Sequence, residues 1–529
     1  MQGPLSQAVA TMCTALLPQV SGRTADGMRE ILARLDGTLQ LAVAGRIKAG
    51  KSTLVNALIG RRVAPTDVGE CTRLVTRFQY GTVDRIEVVH TDGRRTVVPF
   101  GPDGGIPADL GLDLAEVSHL EAYLTSAVLS EITVIDTPGL GSLDADSVSR
   151  TESLLGRAPA TSDGGSELDP VSRFAVAGAE AVVYVFTQSV RSDDTATLAA
   201  FSAATASREA GPVNALAVLN KADTLPPESV AGSAGSVWRA AELVAGAQAE
   251  LLRPKVVDVL PMIGLLAETA ETGAFTAADA DALRALVGMD EAMLSAMLMA
   301  ADLFAGLDAP VDRPTRIRLL QLLDLYGVEQ AVQALRENPA MSAGELRRRL
   351  LDASGLAALR RRLGEVFASR ADGIKASAAL ASLATLAAAS TDWAERQRIH
   401  DAIAVLLQRP EAHQLRLLEA LTMVSGGVVD LPDELTAEVL RLGSSARPDE
   451  QLGMPQGPVP ALQQYALERA GWWRSFASFG STPAQSRLAH VVHRTYFLLW
   501  QELKGRVPAG PVGELGLPPR PPGQDWRRG

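Results

Sequence analysis

The chain has 529 residues, enough for two or three domains with large cores, and a formal net charge of −11. That acidic surplus excludes a general nucleic-acid binder, which needs a basic face to release counterions. Apolar residues make up 47% but aromatics only 4%, so Leu, Ala and Val must fill the cores, a composition that leans helical.

From the start of the chain, residues 1–20 carry no basic residue ahead of a weakly apolar stretch, which is unlike a secretion signal, so a cytoplasmic location is expected. The two cysteines, Cys13 and Cys71, offer no disulfide framework and no metal spacing, in keeping with a reducing compartment. Helical spacing runs through residues 5–35, with a break near 18–22. Residues 39–44 then form a short apolar run of strand length. Gly45-Arg46-Ile47-Lys48-Ala49-Gly50-Lys51-Ser52 follows, and a helical pattern from Thr53 stops at Gly60. This is the pattern G-x-x-x-x-G-K-[ST] between a strand and a helix. Such a loop turns its backbone N–H groups inward around phosphates at a helix N-terminus, with Lys51 reaching the β and γ oxygens. Ser52 supplies its hydroxyl to Mg²⁺.

A switch that senses the γ-phosphate needs a Thr on a loop, and residues 64–73 lie where one is required. Thr72 is the expected second Mg²⁺ ligand, with Thr66 as the fallback. Three strand runs follow at 75–80, 85–90 and 95–98, the last two joined across Thr91-Asp92-Gly93-Arg94, whose Asp-Gly signals a hairpin. Residues 99–113 read as a loop. The strand at 132–136 ends in Asp136-Thr137-Pro138-Gly139, a D-x-x-G element. It places Asp136 where it can hold a water of the Mg²⁺ shell, and the Gly139 N–H where it can meet the γ-phosphate. Residues 157–170 read as a flexible insertion.

Further strands are expected at 181–187 and 214–219, the second running into Asn220-Lys221-Ala222-Asp223. The Asp223 carboxylate can accept both the N1 and N2 protons of guanine, which adenine cannot offer, so N-K-x-D selects GTP. A last strand lies at 256–261, and the loop after it shows no clear polar element for the guanine side. Strands alternating with helices describe an α/β P-loop domain with a doubly wound, mostly parallel sheet. Lysine usage agrees: only six lysines occur, and three are Lys48, Lys51 and Lys221.

Beyond about residue 265, Leu, Ala, Glu and Arg recur at three- and four-residue spacing, which reads as an all-α bundle or elongated stalk. The expected division is 1–36 as an N-terminal helical segment packing with the stalk, 37–265 as the nucleotide domain, 266–505 as the stalk, and 506–529 as a Pro-rich tail. Ser342-Ala343-Gly344-Glu345 is a capping box. The Met289, Met293, Met297 stripe and the pair Trp472-Trp473 read as core filling. The runs Arg347-Arg348-Arg349 and Arg360-Arg361-Arg362 fit either a solvated helix face or anionic lipid headgroups. No uncharged window approaches the roughly twenty residues of a membrane span.

The stretch from Ala44 to Leu58, with Ala64-Pro65-Thr66-Asp67, Thr72-Arg73 and Val75-Thr76, resembles the bacterial dynamin-like proteins, and among them the isoniazid-inducible C-type proteins of actinobacteria. So does the helical segment from Ser354-Gly355-Leu356 to Lys375. The resemblance implies a G domain on a helical stalk, self-assembly through a G-domain dimer or with a dynamin-like paralogue, and peripheral action on an anionic membrane at the inner face of the cytoplasmic membrane. Many dynamins carry a Gln-Ser pair where this chain has Ile47 and Lys48. Ile47 cannot orient water, and the Lys48 ammonium is expected to replace the monovalent cation near the developing charge. The catalytic set is therefore Lys51, Lys48, Thr72 and Gly139. The main alternative is a soluble GTP-binding subunit that pairs with a membrane-binding relative.

Overall fold

The computed structural model describes residues 3–20, 22–46, 48–65, 74–107, 109–137, 179–189, 215–252, 255–367, 370–425, 427–443, 447–478 and 482–505. Ile47, Thr66, Cys71, Thr72, Gly139, the 157–170 insertion and the 506–529 tail lie outside these residues.

Helices α1 (Pro4–Leu16) and α2 (Gly22–Asp36) precede the sheet, separated by a single tight turn at the expected break. The strands are β1 (Leu39–Gly45), β2 (Thr76–Tyr80), β3 (Arg85–His90), β4 (Arg95–Val98), β5 (Val117–Leu124), β6 (Ile132–Asp136), β7 (Ala181–Thr187), β8 (Ala215–Asn220) and β9 (Val259–Pro261). Helix α3 (Lys51–Ile59) follows β1, and α4 (Val237–Leu252) precedes β9. Helices then run without further strands among the described residues: α5 (Gly264–Glu271), α6 (Ala277–Val287), α7 (Glu291–Met297), α8 (Ala301–Gly306), α9 (Arg313–Glu337), α10 (Ala343–Asp352), α11 (Leu356–Val366), α12 (Ala371–Ala389) and α13 (Trp393–Leu407). The series ends with α14 (His413–Ser425), α15 (Asp433–Leu442), α16 (Pro448–Gln451), α17 (Val459–Ser478) and α18 (Pro483–Gly505). The capping box at Ser342 forms, with Glu345 accepting from the Ser342 N–H at 2.7 Å.

The nine strands form one sheet in the order β4-β3-β5-β2-β6-β1-β7-β8-β9. From β6 outward through β1, β7, β8 and β9 the pairing is parallel. At the other end β2 runs antiparallel to β6, and β3 antiparallel to β5 and β4. The parallel strands are covered on both faces, which is why β7 and β8 read as nearly unbroken apolar runs. The edge strand β4 alternates exposed and half-buried residues instead. The β3–β4 hairpin closes at the expected Asp-Gly, where Gly93 has φ 86° and donates to the His90 carbonyl at 3.0 Å. Strand β5 is the one strand the sequence reading did not anticipate. Its buried His119 and Glu121 interrupt the apolar signal, and Glu121 is neutralised locally by Arg95 at 2.7 Å and the Tyr123 hydroxyl at 2.8 Å.

One apolar cluster joins β7 and β8 to α4, α6, α9 and α10 through residues such as Val182, Leu219, Ala241, Leu283 and Leu323. A second joins β1, β5 and β6 to α3 and α11 through Leu54, Leu58, Leu120, Val134 and Leu359. The helices after β9 therefore complete the core of the sheet domain before the chain moves on. Helices α1 and α2 pack on α12 and α13, with Val9, Met28, Leu383 and Ile399 buried together. The Asp372 carboxylate accepts from the Leu5 and Ser6 N–H groups at 2.9 and 2.8 Å, at the start of α1. The buried Lys375 ammonium donates to the carbonyls of Leu35 (2.7 Å) and Gly37 at the end of α2. Acid at a helix start and a cation at a helix end both follow the helix dipole.

The chain divides into two compact units, residues 1–436 and 437–529. In the second, α17 and α18 pack lengthwise. Trp473 and Tyr496 are fully buried, and Glu438 accepts from Trp473 Nε1 (2.9 Å), the Tyr496 hydroxyl (2.7 Å) and Arg469 Nε (2.9 Å). Burial pushes the Glu438 carboxyl up, but these three donors outweigh it and hold it below its ordinary value. Trp472 is exposed and stacks on Phe476. Of the methionine stripe, Met297 is buried and Met289 half-buried, whereas Met293 is exposed. The second arginine run is taken up in ion pairs: Arg360 with Glu271 (2.5 Å), Arg362 with Asp258 (3.1 Å) and Arg361 with Glu365 (3.9 Å). In the first run Arg349 meets Glu337 at 3.6 Å, and all three arginines are exposed.

Candidate nucleotide-binding site

Parallel register brings the candidate residues to one end of the sheet. Val43 of β1 pairs with Asp136 at the end of β6, Gly45 pairs with Val185 of β7, and Thr187 of β7 pairs with Asn220 at the end of β8. The carboxyl ends of parallel strands are where α/β sheets bind ligands.

The loop from Gly45 to Lys51 is shaped by two glycines. Gly45 has φ 148°, and a Cβ there would stand 2.1 Å from the Val185 carbonyl oxygen. Gly50 has φ 91°, and a Cβ would stand 2.2 Å from Asn220 Nδ2. Between them Lys48 adopts the left-handed conformation at φ 63° and is exposed, while Ala49 is buried. Helix α3 then starts at Lys51, with Leu54 N–H donating to the Gly50 carbonyl at 2.9 Å.

The Lys51 side chain folds back across this loop, its Nζ donating to the Arg46 carbonyl at 3.0 Å. Burial lowers its pKa, and the Asp136 charge opposes that shift. Ser52 donates its hydroxyl to Asp136 Oδ2 at 2.9 Å. Asp136 is buried, and burial pushes its carboxyl up to about 6 against the pull of Lys51 and Ser52. Its other oxygen, Oδ1, is buried with no hydrogen-bond partner, an uncommon state that leaves it available to the hydration shell of a cation. Among the described residues no group of three His, Cys, Asp or Glu side chains is gathered for a metal. A hydroxyl beside a single carboxylate fits Mg²⁺, which takes few protein ligands and keeps water and phosphate oxygens.

On the base side, Asn220 acts as a clip. Its Nδ2 donates to the Ala49 carbonyl at 2.8 Å and its Oδ1 accepts from the Gly264 N–H at 2.9 Å. The side chain is buried, and it ties the phosphate loop to the segment after β9, where the sequence offered no polar signature. Lys221 takes the left-handed conformation at φ 56°, and Asp223 sits in the tight turn Ala222–Thr224. Burial raises the Asp223 carboxyl, as does the charge of Asp324, while Lys221 opposes them. Asp324 and Tyr326, both in α9, thus come within electrostatic reach of Asp223. Neither was legible as part of the site, because Asp324 sits inside a helical pattern. Its backbone nevertheless leaves the helix, with φ 51° and ψ −177°. Lys51, Ser52, Asp136, Asn220 and the loop glycines are brought together as the sequence implies, with Asp223 in the turn that follows Asn220. Thr53 follows Ser52 in α3.

A phosphate loop, an Asp-bearing strand and an N-K-x-D turn on a mixed sheet, followed by a long helical region, define a G domain of the dynamin class, and the model of the dynamin family matches residues 41–101. Over 452 residues the chain is 33% identical to the isoniazid-induced protein IniC of Mycobacterium tuberculosis, covering 84% of this chain and 86% of that protein. It belongs to this family of bacterial dynamin-like proteins. Shorter matches are a bacterial dynamin-like protein of Nostoc punctiforme (31% over 136 residues, 23% of this chain and 19% of that one) and the isoniazid-induced protein IniA of M. tuberculosis (29% over 140 residues, 24% and 21%). A chain from a solved oligomerised bacterial dynamin pair aligns over 95% of this chain and 74% of its own at 14% identity, but with a TM-score of 0.29 it adds nothing to the assignment.

Proposed function

We propose that the chain binds GTP with Mg²⁺ at this site and hydrolyses it, assembles through its G domain and helices, and acts peripherally on the cytoplasmic membrane. The observation that carries the reading is the convergence of Lys51, Ser52, Asp136 and Asn220 at the carboxyl end of the sheet. The backbone from Gly45 through Arg46, Ile47, Lys48, Ala49 and Gly50 to Thr53 cradles the phosphates. Lys51 exchanges the Arg46 carbonyl for the β and γ oxygens, a move its position over the loop mouth prepares. Ser52, Thr72 and Asp136, whose Oδ1 has no hydrogen-bond partner, are the residues that would hold Mg²⁺. The chemistry Mg²⁺ would supply when bound is neutralisation of phosphate charge. The Gly139 N–H meets the γ-phosphate, and Lys48 adds a positive charge beside the transferring group. Asp223 reads guanine, Lys221 flanks the base, and Asn220 keeps the base loop and the phosphate loop in fixed relation.

Among the described residues no helix is long and apolar enough to cross a membrane, so membrane action in this reading is by surface contact. The test is GTP turnover across a range of protein concentrations, with and without anionic liposomes, using Lys51→Ala as the blank. Turnover that rises with concentration and again with lipid supports an assembling, membrane-acting GTPase. Flat, slow turnover indifferent to lipid supports the alternative of a GTP-binding subunit that pairs with a membrane-binding relative. Dependence on K⁺ refutes the role given to Lys48.

A further inference from the structure

Helix α5 is only eight residues long, yet its polar groups fasten four separate parts of the first compact unit. The Gly264 N–H donates to Asn220 at its start. Glu268, almost fully buried, accepts from Asn56 Nδ2 of α3 at 2.7 Å. The buried Thr269 hydroxyl donates to the Leu322 carbonyl at 2.7 Å, two residues before the break in α9. Glu271 accepts from Arg360 of α11, whose guanidinium also donates to the Ala57 carbonyl at the end of α3 (3.1 Å).

The Asn56 amide is the most heavily used of these groups. Its Oδ1 accepts from the Val63 and Ala64 N–H groups at 2.9 and 2.8 Å, and its Nδ2 donates to the Ala64 carbonyl at 3.0 Å as well as to Glu268. All four bonding positions of the amide are filled, and three of the four hold the two residues Val63 and Ala64. Those residues lead into the segment that carries Thr72. Glu268 is the only one of the four partners outside Val63 and Ala64, so it alone ties the amide, and with it those two residues, to α5. Burial raises the Glu268 carboxyl, opposed by Asn56 and by Arg62 at 3.5 Å.

We propose that Glu268 is a positioning residue for GTP hydrolysis: acting through Asn56, it holds the Val63 and Ala64 stem of the γ-phosphate switch. It does so from the same helix that clips the base loop and braces the break in α9, so the switch stem, the base loop and α9 share one support. Glu268 touches no substrate, and its effect falls on turnover rather than on nucleotide affinity. The inference rests on the GTPase reading.

Three measurements on the full chain test it. In Glu268→Ala, kcat for GTP falls about tenfold, as expected for a buried donor left unpaired, while the Kd for GDP stays within about threefold. Hydrogen exchange at the Val63 and Ala64 amides, read without nucleotide, quickens by about tenfold, and amides of β8 do not change. Glu268→Gln, which keeps an acceptor for Asn56, retains kcat within about threefold. Should the Ala variant fail to fold, Glu268→Asp, which keeps the charge and shortens the reach, carries the same expectation. Unchanged kcat in the Ala or Asp variant, a parallel loss of GDP affinity, or a Gln variant as slow as the Ala variant overturns the proposal. A wild-type chain that binds no guanine nucleotide refutes the GTPase reading itself, and the exchange readout then still decides whether Glu268 holds the stem.

Discussion

Without nucleotide, Asp136 should destabilise the folded chain in a way that pH reveals. Its carboxyl titrates near 6 in the folded chain against an ordinary value of 3.8, with burial as the first cause. Between those values the folded state keeps a proton that the unfolded state has released, so stability from this group falls as pH rises and reaches its full deficit above about pH 6. Roughly two pH units at about 1.4 kcal/mol each give about 3 kcal/mol. Asp136→Asn keeps an oxygen that can accept from Ser52 but carries no charge to bury. The variant should therefore be more stable than the wild type without nucleotide, by roughly 1–2 kcal/mol at pH 5 and about 3 kcal/mol at pH 8. Urea unfolding of both proteins over this range measures it, since subtracting the curves cancels the other titrating groups. A gap that is flat with pH, or that favours the wild type, would refute the argument that Asp136 is held charged and under-partnered. The same variant should lose the stabilisation that GTP and Mg²⁺ give the wild type.

Gly50→Ala, which sets a methyl 2.2 Å from Asn220 Nδ2 at φ 91°, should abolish binding of a fluorescent GDP analogue and lower stability by about 1–3 kcal/mol. Asp223→Asn replaces an acceptor with an amide. Guanine affinity should fall at least about a hundredfold while a xanthine nucleotide, whose O2 accepts from that amide, gains affinity, both read by competition binding. Glu438→Ala leaves Trp473, Tyr496 and Arg469 without their shared acceptor and should cost about 3–5 kcal/mol, seen as an earlier unfolding transition in Trp fluorescence.

The phosphate loop, the Asp136 strand and the N-K-x-D turn were legible because each is a local pattern whose spacing is imposed by phosphate or base geometry. The β3–β4 hairpin and the Ser342 cap were legible for the same reason, as chemistry confined to four residues. What could not be read is what depends on partners far along the chain. Strand β5 hides because Glu121 is buried, and only the neighbouring strands show that Arg95 and Tyr123 satisfy it. The break at Asp324 hides within Leu-rich helical spacing, since the Leu322 carbonyl it frees is taken by Thr269, 53 positions earlier. Glu268 and Asn56 lie 212 positions apart and belong to no motif as a pair. The second arginine run fitted a solvated helix face or anionic headgroups equally well, and only the fold shows Glu271, Asp258 and Glu365 facing it.

The docking of α1 and α2 on α12 sets an order of events during synthesis. The Ser6 N–H waits for Asp372, 366 positions later, and the end of α2 waits 340 positions for Lys375. At about 5–20 residues per second, a ribosome needs on the order of 20–70 s to supply those partners. Strands β1 to β9 are all complete by residue 261, so the sheet can close while the first two helices still trail from it with Val9, Met28 and Ile31 uncovered. Helices α1 and α2 are made before the sheet and buried after it, and in the interval a nascent chain presents an apolar hairpin to chaperones or to a neighbouring chain.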